Sequence, residues 1–123
     1  MNPLNQLSTL AYKIANDFVS SANSQFLFLV NTLVKDPTGV FEIDLLKERI
    51  SPSSLVGGST DQVIKKYRNL LMNELDVIQV SSAEVEKAAI KVTFKPGPAA
   101  RIYTCNVTIK AGGKEYVKQA STA

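Results

Sequence analysis

Histidine is absent from all 123 residues. That removes Ser-His and Cys-His catalysis and every His-ligated zinc site. Cys105 is the only cysteine, so the chain has neither a disulfide framework nor a Cys-rich metal site. No run of 18 apolar residues occurs, and the sequence predicts no membrane-spanning helix. Met1 to Leu10 carries no positive charge, and Lys13 and Asp17 interrupt the apolar residues beyond Leu10, so this segment does not read as a signal peptide. With a lone cysteine, that fits a cytoplasmic chain. The glycine patterns that cradle phosphates or dinucleotides are missing, and Gly57-Gly58 is too sparse to replace them. These absences argue against an enzyme and give no reason to expect a cofactor, a metal or a small-molecule ligand.

The remaining composition is ordinary for a globular protein: 45% hydrophobic and 20% charged residues in 13.4 kDa. This length suits a single domain over 1–123 that buries a core unaided. The formal charge of +3 is uneven. Residues 1–62 hold four basic and six acidic side chains, whereas 63–123 hold ten basic and five acidic. A basic second half can face nucleic acid, an acidic partner or water.

Residues 1–35 read as helical. Asn2-Pro3 is a good helix start, and Leu7, Leu10, Ala11, Ile14 and Phe18 then form an apolar stripe over 3–19. A second helix, apolar nearly all round, is expected over 26–34, ending before the Pro37-Thr38-Gly39 turn. Val40–Ile43 suggests a short strand and Leu45–Ile50 a short helix. Ser59 to Gln62 reads as a capping box opening a helix over 60–73. After Leu75 the pattern turns to β. Val77, Ile78 and Val80 open a strand, and a break at Ser81-Ser82 suggests a bulge. Ile90, Val92 and Phe94 alternate with polar residues, Pro96-Gly97-Pro98 makes a turn, and Tyr103, Cys105, Val107 and Ile109 point inward. Gly112-Gly113 leads into an edge strand guarded by Lys114 and Lys118. The expectation is an α+β fold: helices over 1–35, a turn, short helix and capped helix over 36–75, then a three- to four-stranded antiparallel β meander over 76–123.

No constellation of residues announces catalysis. Cys105 lies on the apolar face of its strand without a base, which reads as a buried structural thiol. Glu42, Asp44 and Glu48 interleave with Lys47 and Arg49, and Glu84 and Glu86 adjoin Lys87, as on solvated surfaces. Asn106-Val107-Thr108 matches a glycosylation sequon, which carries no weight without secretion.

Two functional readings remain. The order of helix, short strand, short helix, loop, basic helix and hairpin is that of a winged helix. Helix 60–73 would be the recognition helix and residues 77–95 the wing. Lys65, Lys66, Arg68, Lys91, Lys95 and Arg101 would then meet phosphates in a cytoplasmic DNA-binding regulator of transcription or replication, or face an acidic partner.

The second reading starts from a capped helix, Asn73-Glu74-Leu75-Asp76, and the antiparallel strands after it. Together with Asp36-Pro37-Thr38-Gly39 and the chain length, this order resembles the small baseplate wedge protein of contractile phage tails and the related sheath-initiating subunit of injection machines. Glu74 matches the first position of that family's Glu-Pro-Arg mark, and Leu75 and Asp76 stand at the other two. The resemblance covers about residues 25–118. It implies a non-enzymatic structural subunit of a virion, assembled in the host cytoplasm, whose edge strand pairs with a neighbour's. The expected interface residues are Leu7, Leu10, Ile14 and Phe18 of the first helix, unless that stripe closes the chain's own core, and Tyr116 and Val117 of the last strand. The expected partners are other subunits of the particle, copies of the chain among them.

Overall fold

The stripe of residues 7–18 does form a helix. In the computed structural model, which describes residues 6–20, 40–51, 58–94 and 103–121, α1 spans Gln6–Ser20 and buries Leu7, Leu10, Ala11, Ile14, Ala15 and Phe18. The helix expected over 26–34, the turns at Pro37-Thr38-Gly39 and Pro96-Gly97-Pro98, Lys95 and Arg101 lie outside the described residues.

Strand β1 (Val40–Asp44) is followed by β2 (Arg49–Ser51), paired antiparallel with Ile43 opposite Ile50. The short helix expected over Leu45–Ile50 is not there: one turn forms, and Glu48 at φ 52° and the pairing of Ile50 with Ile43 end it. Asp44 Oδ1 accepts from the backbone N–H of both Leu46 and Lys47 at 3.0 Å, as a helix N-cap does, and so holds that single turn. Glu48 then adopts φ 52° and returns the chain into β2.

Helix α2 runs Gly58–Val77, longer at both ends than the 60–73 expected. Ser59 therefore lies within the first turn of the helix. Val63, Ile64, Tyr67, Leu71 and Leu75 are buried. Val77, Ile78 and Val80, expected as a strand, instead end this helix. The Val80 N–H donates to the Leu75 carbonyl at 2.9 Å and the Gln79 N–H to the Asp76 carbonyl at 3.1 Å, with Gln79 at φ 59°. This is a Schellman cap. A single 3-10 turn comes next (Ser82–Glu84), where Ser81 Oγ accepts from the Ala83 N–H at 3.3 Å. The bulge lies beyond it, between Val85 and Lys87, rather than at Ser81-Ser82.

Strands β3 (Val85–Phe94), β4 (Tyr103–Ala111) and β5 (Lys114–Ser121) form the expected meander. Among the described residues the sheet has five strands, all antiparallel, in the order β2-β1-β3-β4-β5. The count exceeds the three to four expected because the β1–β2 hairpin adds to the free side of β3. The class is α+β.

One sheet face is apolar: Ile43, Ile90 and Val107 stand in register, beside Val92 with Cys105 and Ala88 with Ile109. Helix α1 seats on β4 and β5, and α2 lies beside it, with the Phe18 and Tyr67 rings 5.0 Å apart. Lys13 Nζ and Glu74 Oε1, 2.6 Å apart, and Lys66 Nζ and Asp17 Oδ2, 3.7 Å apart, tie the helices together, while Arg68 Nε reaches Glu48 Oε1 of the β1–β2 turn at 3.7 Å. The opposite sheet face is polar, with Glu42, Lys91, Asn106 and Gln119 in one row.

Candidate functional site

The two sheet borders differ. At one border β2 offers only three residues, a short edge of the kind that discourages pairing. At the other, β5 runs for eight residues without proline, and among the described residues no strand lies beyond it. Turn chemistry fixes what this edge presents. Gly112 and Gly113 take φ 60° and 76°, the two left-handed conformations of a type I′ hairpin turn. Nothing lies within 4 Å of a Cβ built on Gly113, so its constraint is backbone conformation and not space. The turn makes Ala111 and Lys114 the closing pair. In an antiparallel ladder, alternate residues then bond inward. Lys114, Tyr116, Lys118 and Ala120 bond to β4, and the N–H and C=O groups of Glu115, Val117, Gln119 and Ser121 point out from the edge.

Side chains flank this row on both sides. Val117 is 52% exposed on the polar sheet face. Across the sheet, Tyr12 of α1 is 50% exposed. Lys13 and Asp17 mark the flank of α1 that meets α2. Helical spacing puts Tyr12 on the other flank, toward β5. Two of the three exposed large hydrophobic side chains among the described residues thus border the β5 edge; the third is Val77.

The expected interface residues divide. Val117 is accessible at the edge. Leu7, Leu10, Ile14 and Phe18 are at most 3% exposed and belong to the chain's own core. As an open docking stripe they are corrected: the sheet face beneath α1 is apolar and takes them. Tyr116 is likewise corrected, being on the core face at 8% exposure, with Lys114 Nζ 5.5 Å from its ring centre. Glu115, Gln119 and Tyr12 were not anticipated. The Gly-Gly turn could have supplied Glu115 and Gln119, because a two-residue loop fixes which residues of the next strand face out.

The arrangement expected of a winged helix is not formed by the described residues. The helix over Leu45–Ile50 is a turn and a strand, and residues 77–84 contribute no strand, so there is no 77–95 hairpin. Lys66 and Arg68 lie beside Asp17 and Glu48. Lys65 shares an open cleft with Glu48, Asp61 and Ile64. Lys91 sits on the polar sheet face, away from the helices.

Catalytic groups are equally dispersed. Cys105 is fully buried, and burial pushes its thiol up to about 12, which keeps it protonated and unreactive. Asp44 holds its turn, and Glu86 Oε2 lies 3.5 Å from Lys110 Nζ. Among the described residues no three Asp, Glu, Cys or His side chains converge on a metal position, and no helix is long and apolar enough to cross a membrane. Compared with known proteins, the chain matches no protein-family model, and no similar curated protein or solved structure was found.

Proposed function

We propose that this chain is a non-enzymatic structural subunit of a large assembly, a phage tail, baseplate or other virion component, and that it joins its neighbours by strand pairing at β5. The observation that carries the reading is the β5 border: eight residues, no proline, four residues with outward backbone groups, and Tyr12 and Val117 beside them. Strand addition draws its affinity from main-chain hydrogen bonds and its selectivity from the flanking side chains. The assignment to a virion rests on the order and length shared with the small baseplate wedge family. The apolar stripe of α1 takes no part in docking, since it is spent on the core.

The test is a density-gradient purification of particles from the producing culture, probed with an antibody to the chain. The chain is expected to co-sediment with intact particles in fixed ratio to the major structural proteins. A Val117→Pro variant is expected to stay in the soluble fraction, because the lost N–H points away from β4 and only edge pairing needs it. Particles lacking the chain altogether would overturn the virion assignment. Incorporation of the proline variant at the wild-type level would overturn the role of the edge.

A further inference from the structure

We infer that the β5 edge pairs with a second copy of itself, antiparallel about a two-fold axis through Val117, joining two five-stranded sheets into one of ten strands. This rests on the reading of β5 as a pairing edge and names the partner. A two-fold contact needs a self-complementary surface, and the sequence of β5, Lys-Glu-Tyr-Val-Lys-Gln-Ala-Ser, satisfies that in one register. Only residues with outward backbone groups can exchange bonds across the junction. With Val117 opposite the second copy's Val117, Glu115 stands opposite Gln119 in both directions. These three pairs exchange six hydrogen bonds.

The side chains agree with this register and oppose the others. On the polar face Glu115 meets Gln119, and Val117 meets its own copy. On the core face Lys118 meets Tyr116, an approach that a cation and an aromatic ring favour. A slide of one step in one direction sets Lys118 opposite Lys118. A slide the other way sets Lys114 opposite Lys118. Like charges directly opposite destabilise a pair. Longer slides either oppose Glu115 to itself or leave only residues 117–121 overlapping.

Among the described residues, the helix layer leaves room for this pairing. Because α1 seats on both β4 and β5, its axis stands back from the border. With strands about 4.8 Å apart, two symmetry-related α1 helices lie about 10 Å apart, a normal packing distance. Tyr12 is the exposed large hydrophobic side chain of α1, and helical spacing puts it on that flank, so it covers the junction from above while Val117 covers it from below.

The experiment uses the full chain in solution. Sedimentation equilibrium is expected to give the dimer mass for wild type and the monomer mass for Val117→Pro with an unchanged far-ultraviolet dichroism spectrum. A second measurement fixes the register without proline. Single-cysteine variants are oxidised; the only native thiol, Cys105, is buried. Val117→Cys is expected to form a covalent dimer rapidly, since facing residues in such a pair have Cα atoms about 5.5 Å apart, within disulfide reach. Glu115→Cys and Gln119→Cys are each expected to form no covalent dimer when oxidised alone and to cross-link when mixed. Three outcomes would overturn the inference: a wild-type monomer, a dimer that survives Val117→Pro, or cross-linking in another register. A monomer in solution that still needs Val117 to enter the particle would overturn self-pairing and leave the assembly reading intact, with a different chain on the edge.

Discussion

Cys105 illustrates how burial decides what a reactive side chain does. It is fully buried in β4, opposite Val92. A thiolate there would lose its hydration with no cation to replace it, so desolvation raises the thiol from 9.0 to about 12. The folded chain then holds this proton where the unfolded chain has released it. Stability from this group is complete below about pH 9 and falls as pH rises from 9 toward 12, by about 1.4 kcal/mol per pH unit. Denaturant titrations at stepwise alkaline pH are expected to show that loss in wild type and a shallower loss in Cys105→Ala, which starts from a lower stability because it leaves a small cavity. Equal slopes in the two proteins would contradict the buried-thiol account. The inward alternation of Cys105, Val107 and Ile109 was legible in the sequence because it repeats every second residue with no competing local bond.

Whole elements were misread where a residue other than glycine takes positive φ, at Glu48 and Gln79. Leu45, Leu46 and Ile50 are spaced as a helical face and Asp44 caps a first turn, yet Glu48 at φ 52° ends it and Ile50 pairs with Ile43. The end of α2 failed differently. Val77, Ile78 and Val80 have strand-forming side chains, and no glycine marks the stop. Gln79 holds the left-handed position that glycine usually fills, while Val80, at 5% exposure, folds back onto the core. A side chain in that conformation costs about 1–2 kcal/mol, partly offset in any glycine variant by greater freedom of the unfolded chain. Gln79→Gly is therefore expected to raise stability by about 0.5–1 kcal/mol, read as a higher denaturant midpoint at constant slope. Gln79→Val is expected to lower it, because β-branched residues tolerate positive φ poorly. If Gln79→Gly instead destabilised the chain, the helix would not end in this cap. By contrast α1, the β3–β4–β5 meander and the Gly-Gly turn were legible, since periodicity and turn chemistry agree there.

At the scale of the molecule, folding redistributes charge that the sequence keeps apart. Along the chain, residues 63–123 carry twice as many basic as acidic side chains. In space, carboxylates from the first half come to meet them: Asp17 stands by Lys66, Glu48 by Arg68, Asp61 shares a cleft with Lys65, and Glu42 lies opposite Lys91. The described residues hold eleven basic and ten acidic side chains, mixed on both faces. Nucleic-acid affinity at low salt comes from uncompensated Lys and Arg displacing counterions, and exposed ion pairs add little stability but do cancel the local field. The basic helix face, Lys65, Lys66 and Arg68, is therefore neutral where a DNA reader must be positive. An anisotropy titration of a labelled mixed-sequence duplex at low and moderate salt is expected to give only weak binding, with no change on Lys65→Glu/Arg68→Glu. Tight, salt-sensitive binding abolished by that double substitution would mean that those carboxylates yield to phosphate, and would return the helix face to the place now given to the β5 edge. The sequence cannot make this distinction, because the pairing of Asp17 with Lys66 spans 49 positions and exists only once α1 and α2 lie side by side.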